Sequence, residues 1–224
     1  MNKIIRDIVV MGKKPTTIPW YLTGAVPSAN CLAAYKPKGA ADYAASKVNL
    51  TGNATYDAVD GAAYPTWDGT NGWKFLVTSS QYLDPGIVPK ANMSFIVRCS
   101  NLETTVERAL IGYYKSGTMR VQLGPNTPNM AYGNGGLLNK TPLATSGVFG
   151  VAGQDGYRNG ASESLSIAAW SGVASTSVLI GGRRREDTTS IDTYLTGYIQ
   201  AFSVYDIVLT PAQVLAISTA MAAL

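Results

Sequence analysis

Histidine is absent from all 224 residues. That removes Ser-His-Asp and Cys-His catalysis and every imidazole metal ligand. Only two cysteines occur, Cys31 and Cys99, and they lie too far apart for a CxxC zinc or redox pair. Both are read as buried small residues in strands, since disulfide frameworks belong to secreted chains. Charge is scarce: 14% of residues are charged, against roughly 25% in typical globular domains. This argues against a disordered chain and against a helical bundle laced with ion pairs. No apolar run approaches the ~18 residues of a spanning helix, so no membrane partner is expected. Arg6 and Asp7 interrupt the apolar run Ile4-Ile5 before Ile8-Val9-Val10-Met11, so no secretory signal is read there. Asn49, Asn53, Asn92 and Asn139 each begin an N-x-S/T triplet, which without an export signal is read as coincidence.

What is present is a chain 46% hydrophobic, with 23 Gly, 11 Pro and 13 Tyr. That mixture favours strands joined by turns. The length suits one medium-sized domain able to bury a core. Met93, Phe95, Val97 and Cys99 recur at period two, which predicts a sandwich strand with one buried face. Met119, Val121 and Leu123 repeat the pattern, with Arg120 and Gln122 pointing the other way. Cys31–Tyr35, Trp73–Val77, Ala109–Ile111, Val148–Val151 and Ser177–Ile180 are further candidate strands, and Asp42–Ser46 a single helical turn. Asn159-Gly160 is the strongest hairpin signal, because a type I′ turn needs positive φ at both central positions. Ile199, Phe202, Val204 and Tyr205 break strict alternation, and a β-bulge between Ile199 and Phe202 would let both reach the core. Thr210-Pro211-Ala212-Gln213 spells a capped helix start, with Val214, Ile217 and Met221 along one face of a helix running to about Ala222. Candidate strands spaced roughly 8–12 residues apart point to an all-β sandwich rather than βαβ units.

Gly197-Tyr198-Ile199-Gln200-Ala201-Phe202-Ser203-Val204-Tyr205-Asp206, followed by Leu209-Thr210-Pro211-Ala212-Gln213-Val214, resembles the closing signature of laminin-G-like, concanavalin A-type jelly-roll domains. Tyr157-Arg158-Asn159-Gly160 is similar to their midway hairpin, and Trp73-Lys74-Phe75 with Gln81-Tyr82-Leu83 to an early strand pair. The resemblance spans about Trp20 to Leu224 and implies an antiparallel jelly-roll β-sandwich over residues 19–224, with a short C-terminal helix. Residues 1–18 form an extended N-terminal arm outside it. The glucanase branch of that family carries an E-x-D-x-x-E strand, and no such string occurs among the four glutamates here. A retaining glycosidase needs two carboxyls about 5 Å apart, so the chain is expected not to be an enzyme. The arm-plus-sandwich layout, rich in Ala, Thr and Asn, is also similar in style to small virion proteins of tailed phages.

Four segments carry chemistry. Trp67, Asp68 and Asn71 combine an aromatic face with polar side chains, the chemistry of sugar recognition. Trp73 beside them is read as core, and Trp170 as strand-end packing. Asp57, Asp60, Asp68 and Asp84 could offer oxygens to calcium, but Asp is also a common turn residue, so no cofactor is expected. Arg183-Arg184-Arg185 could hold a phosphate or an acidic partner. Glu186 and Asp187 follow it, so a solvated loop is expected, and nucleic acid is not. In the arm, Ile4, Ile5, Ile8 and Val9 are too few to offset ordering at ~1–2 kcal/mol per residue. They are expected to pack on another virion protein or on another copy of this chain, as a homo-oligomer, with Lys13 and Lys14 on the polar margin. The first reading is therefore a non-enzymatic phage virion component, a capsid decoration or fibre protein, made in the host cytoplasm and displaying a lectin-like sandwich to glycans. The alternatives are a stand-alone carbohydrate-binding module and, third, a glucanase-like glycoside hydrolase.

Overall fold

The computed structural model describes residues 17–224. Its early elements are β1 (Cys31–Tyr35), the one-turn helix α1 (Tyr43–Ser46), β2 (Val59–Asp60), β3 (Thr66–Asp68), β4 (Gly72–Phe75) and β5 (Leu83–Asp84). The middle of the chain supplies β6 (Ser94–Ser100), β7 (Ile111–Ser116), β8 (Met119–Asn126), β9 (Asn129–Gly135), β10 (Leu138–Lys140) and β11 (Gly147–Ala152). Then come β12 (Asp155–Arg158), β13 (Ala161–Ser162), β14 (Leu179–Ile180), β15 (Arg183–Arg185), β16 (Ser190–Asp192), β17 (Gly197–Tyr205) and α2 (Pro211–Ala222).

These strands build two packed sheets. The first runs β13-β12-β11-β6-β17-β4-β3, with β1 also paired to β17, and all of its pairings are antiparallel. The second runs β10-β9-β8-β7-β14-β5-β2, with the β15–β16 hairpin joined at β7. Its one parallel pairing is β15 with β7. The architecture is the expected all-β sandwich with a short C-terminal helix.

Between the sheets, Phe95, Val97, Ile199, Phe202 and Val204 meet Ile111, Tyr113, Val121 and Leu123 in one core. The bulge falls as expected: Ile199 faces Cys99 and Ala201 faces Arg98, so Gln200 is the extra residue. The phase shift lets Ile199 and Phe202 both point inward, and both are buried. Trp73 is fully buried and donates its indole N–H to Ser46 Oγ at 2.7 Å, as befits a core tryptophan. The strand expected over Trp73–Val77 is shorter. Beyond Phe75, the Leu76 amide bonds to Gln81 Oε1 at 2.8 Å, and Val77–Ser79 forms a 3-10 turn.

The β6 expectation needs amending too, because both its faces are covered. Ile96 lies among the intervening positions and points away from the sandwich, into a second apolar layer with Cys31, Ala34, Ala201 and Tyr205. Helix α2 seals that layer with Val214, Ile217 and Met221. Arg98, also on this face, donates to the Met221 carbonyl at 2.9 Å. The cap is as read: Thr210 Oγ1 accepts from the Gln213 amide, and Gln213 Oε1 accepts from the Thr210 amide at 2.9 Å. The hairpin turn is also as read, with Asn159 at φ 50° and Gly160 at φ 83°. A Cβ on Gly160 would fall 2.9 Å from the Leu215 Cα, so the turn can sit this close to α2 only without one. The molecule thus has three layers: α2, the first sheet and the second sheet.

Candidate functional site

Alternation along β7 and β8 decides what the second sheet shows on its far side. Ile111, Tyr113, Val121 and Leu123 face the core, so Gly112, Tyr114, Arg120, Gln122 and Gly124 face outward. Among the described residues no helix covers this face. Instead the β15–β16 hairpin folds over it. A Cβ on Gly112 would lie 2.6 Å from the Arg183 Cα, so the bare glycine is what lets β15 approach.

That hairpin corrects the expectation of a solvated arginine loop. Arg183 is only 6% exposed. Its Nε and Nη2 grip the Asp192 carboxylate at 2.8 and 2.9 Å, and its Nη1 reaches Glu107 Oε1 at 2.9 Å and Gln122 Oε1 at 2.8 Å. Gln122 Nε2 in turn donates to Glu107 Oε1 at 2.7 Å. Arg184 points elsewhere, to Asp84 at 2.8 Å and Ser177 at 2.7 Å. Arg185 forks onto Asp187 at 3.1 and 2.6 Å. The triplet is a strand whose charges are matched within the fold.

Around Tyr114 the guanidiniums of Arg120, Arg183 and Arg185 sit 4.6, 5.7 and 4.7 Å from the ring centroid. Arg120 reaches Tyr114 because the two are paired across the β7–β8 hairpin. Arg120 makes no ion pair or hydrogen bond among the described residues, and its Nε is buried without a partner. Burial, and then the charge of Arg183, hold Arg120 below the usual arginine range. Burial would lower Arg183 as well, but the hydrogen bonds and charge of Asp192, with the charge of Glu107, raise it. Arg183 is thus paired with carboxylates, while Arg120 feels the charge of Glu107 but bonds to no acceptor among the described residues. The patch offers aromatic surface, several N–H donors and the carboxylates of Asp187 and Asp192.

The sequence expectation pointed elsewhere. Trp67, Asp68 and Asn71 are indeed brought together, on the β3–β4 hairpin at the edge of the first sheet. Trp67 is half-buried against the core and donates its indole N–H to the Pro37 carbonyl at 2.9 Å. Asp68 accepts from Asn71 Nδ2 at 2.7 Å and the Thr70 amide at 2.8 Å, bonds that hold its carboxyl below the usual range. The polar groups of this hairpin therefore bond chiefly to one another. Trp170 stacks on Tyr113 with ring centroids 5.9 Å apart, the expected packing role.

Asp57, Asp60 and Asp84 line one cleft of about 380 Å³ with Tyr82 and Arg184. Lys47 holds Asp60 at 2.7 Å, Arg184 holds Asp84, and the Asn49 amide holds Asp57 at 2.7 Å. Asp68 is not among the cleft's lining residues. Among the described residues no group of three or more acids, cysteines or histidines could hold a metal ion. Ile4, Ile5, Ile8, Val9, Lys13 and Lys14 of the arm lie outside the described residues. Tyr114 and Arg120 were not singled out from sequence as site residues, although a hairpin centred on Gly117 pairs them.

No protein-family model matches the chain, and no curated protein matches it by sequence. Solved structures do share its fold. Domain 4 of an extracellular GH43 arabinanase from Geobacillus stearothermophilus, in complex with arabinotriose, superposes with a TM-score of 0.54 at 16% identity, over 84% of this chain and 98% of that one. A Trypanosoma rangeli sialidase mutant displaying trans-sialidase activity gives 0.56 at 15% identity, over 88% of this chain. The same sialidase as a covalent intermediate gives 0.55 at 13% identity. This chain spans about a third of the sialidases, 34% of each. The class defined is a jelly-roll β-sandwich of the kind found in carbohydrate-active proteins. This overturns the reading of a phage virion component. The fold's likeness runs to domains of carbohydrate-active enzymes, and the similarity to virion proteins rested on layout alone.

Proposed function

We propose that this domain is a non-catalytic carbohydrate-binding module that receives glycan on the outward face of its second sheet. The observation carrying this reading is the Tyr114–Arg120–Arg185 patch, polar, aromatic and, among the described residues, free of any covering helix. The near-complete overlap with an arabinanase domain bound to arabinotriose supports it. Hydrolysis is disfavoured by the carboxylates. Glu107 and Asp192 are both held by Arg183. Among the described residues, the carboxyls whose pKa departs from the ordinary, Asp68, Glu103, Glu186 and Asp187, are all lowered. A general acid needs the opposite shift.

The test is a glycan array followed by calorimetry, with a reducing-sugar assay on each bound glycan. Binding without sugar release is expected, and sugar release would overturn the non-catalytic part. Trp67→Ala separates the two surfaces. It should lower the melting temperature, since it removes a packed indole and a hydrogen bond, while leaving glycan affinity unchanged. A selective loss of affinity at unchanged stability would move the site to the β3–β4 hairpin.

A further inference from the structure

We infer that the saccharide taken by this module bears a carboxylate, and that Arg120 is the residue that seats it. The inference rests on the reading of the outward face as a glycan surface and names the substituent that face selects. Every other guanidinium there is satisfied: Arg183 by Asp192 and Glu107, Arg185 by Asp187 and at 3.6 Å by Asp192. Arg120 has none of these contacts among the described residues. Its Nε is shut from water and unbonded, and its guanidinium carbon sits 4.6 Å from the Tyr114 ring centroid. The Arg120 side chain as a whole is half-buried, not enclosed.

A cation stripped of part of its hydration, near the charge of Glu107 but bonded to no carboxylate among the described residues, is held ready for one from outside. A sugar hydroxyl can accept one N–H but leaves the charge unmatched. A planar carboxylate can accept two parallel N–H groups and match it. Asp187 and Asp192 stand close by, so a broad polyanion is disfavoured and a single carboxylate beside neutral hydroxyls fits better. The Asp carboxylates can accept from those hydroxyls.

The experiment uses the whole chain on matched probes: trigalacturonic acid and sialyllactose, each beside its methyl ester, together with a sulfated neutral oligosaccharide and neutral arabino- and xylo-oligosaccharides. At least one acid should bind about ten- to a hundredfold tighter than its ester, the range for hydrogen bonds to a charged partner. Arg120→Met should abolish that difference, while Arg120→Lys should keep part of it. Thermal melts of both variants show whether the fold survives, and the acid-to-ester ratio on the parent protein needs neither. Equal binding of acid and ester, or a preference for the sulfated probe, overturns the carboxylate subsite and leaves the glycan-binding module standing. Absence of binding to every probe, neutral or acidic, overturns both.

Discussion

Glu186 shows how a single side chain ties an acidic group to the stability of the fold. Burial alone would raise its pKa. Hydrogen bonds from Lys115, the Ser175 amide and Tyr113 overcome that and bring it down to about 2, from an ordinary 4.5. Lys115 Nζ lies 2.6 Å away, the Tyr113 hydroxyl 2.7 Å and the Ser175 amide 2.9 Å. Because the folded-state value is depressed, the ionised form stabilises the native state above about pH 4.5. That contribution fades as pH falls toward 2. Glu186→Gln should therefore be less stable than the parent at neutral pH, with the gap closing as the pH drops through this window. Urea midpoints for both proteins at pH 7, 4.5 and 2.5 would show it, and a constant gap would rule it out.

At the scale of elements, the Thr210 cap is the cleanest test, since it acts on a helix that seals a whole layer. Thr210→Ala removes one half of a reciprocal pair of bonds and should cost about 1 kcal/mol in a denaturant titration. The β6 strand, the Asn159-Gly160 turn, the bulge and this cap were all legible in the sequence, because each depends on residues within a few positions of one another. Period two, positive φ, broken alternation and a Thr-Pro-x-Gln string are local rules. The outward face was not legible in the same way. Arg183 reads as a solvated charge until Glu107 and Gln122, 76 and 61 positions away, arrive beside it through the pairing of β15 with β7 and β7 with β8. The Trp67 cluster was visible as a cluster. The hydrogen bond that its indole gives to Pro37, 30 positions away, was not. The second layer over β6 lay in the sequence as Ile96, but only the docking of α2 shows which face it serves.

For the whole molecule, the three-layer plan makes the last fourteen residues structural rather than ornamental. Ending the chain after Thr210 removes α2 and bares the Ile96, Ala201 and Tyr205 surface of the first sheet. A contiguous apolar face of this kind drives association. The shortened protein is expected to bind a hydrophobic dye strongly and to sediment as aggregate, whereas the parent does neither. A soluble, dye-silent truncation would mean that the sandwich core alone holds the first sheet closed.

The two cysteines sit in different layers, and this makes the protein its own kinetic recorder. Cys31 lies in the outer apolar layer that α2 helps to seal and Cys99 lies between the sheets, both free and both buried. Burial pushes the Cys31 thiol up to about 12 and raises Cys99 as well, so neither is reactive until its layer opens. Under native conditions a thiol-specific reagent should mark Cys31 first, at a rate set by lifting of the helix. It should mark Cys99 only at the slower rate of global unfolding. Mass spectrometry of singly and doubly labelled chains would then time the peeling of one layer and the parting of the two sheets in a single tube. Equal rates at both sites would show that the three layers open as one cooperative unit.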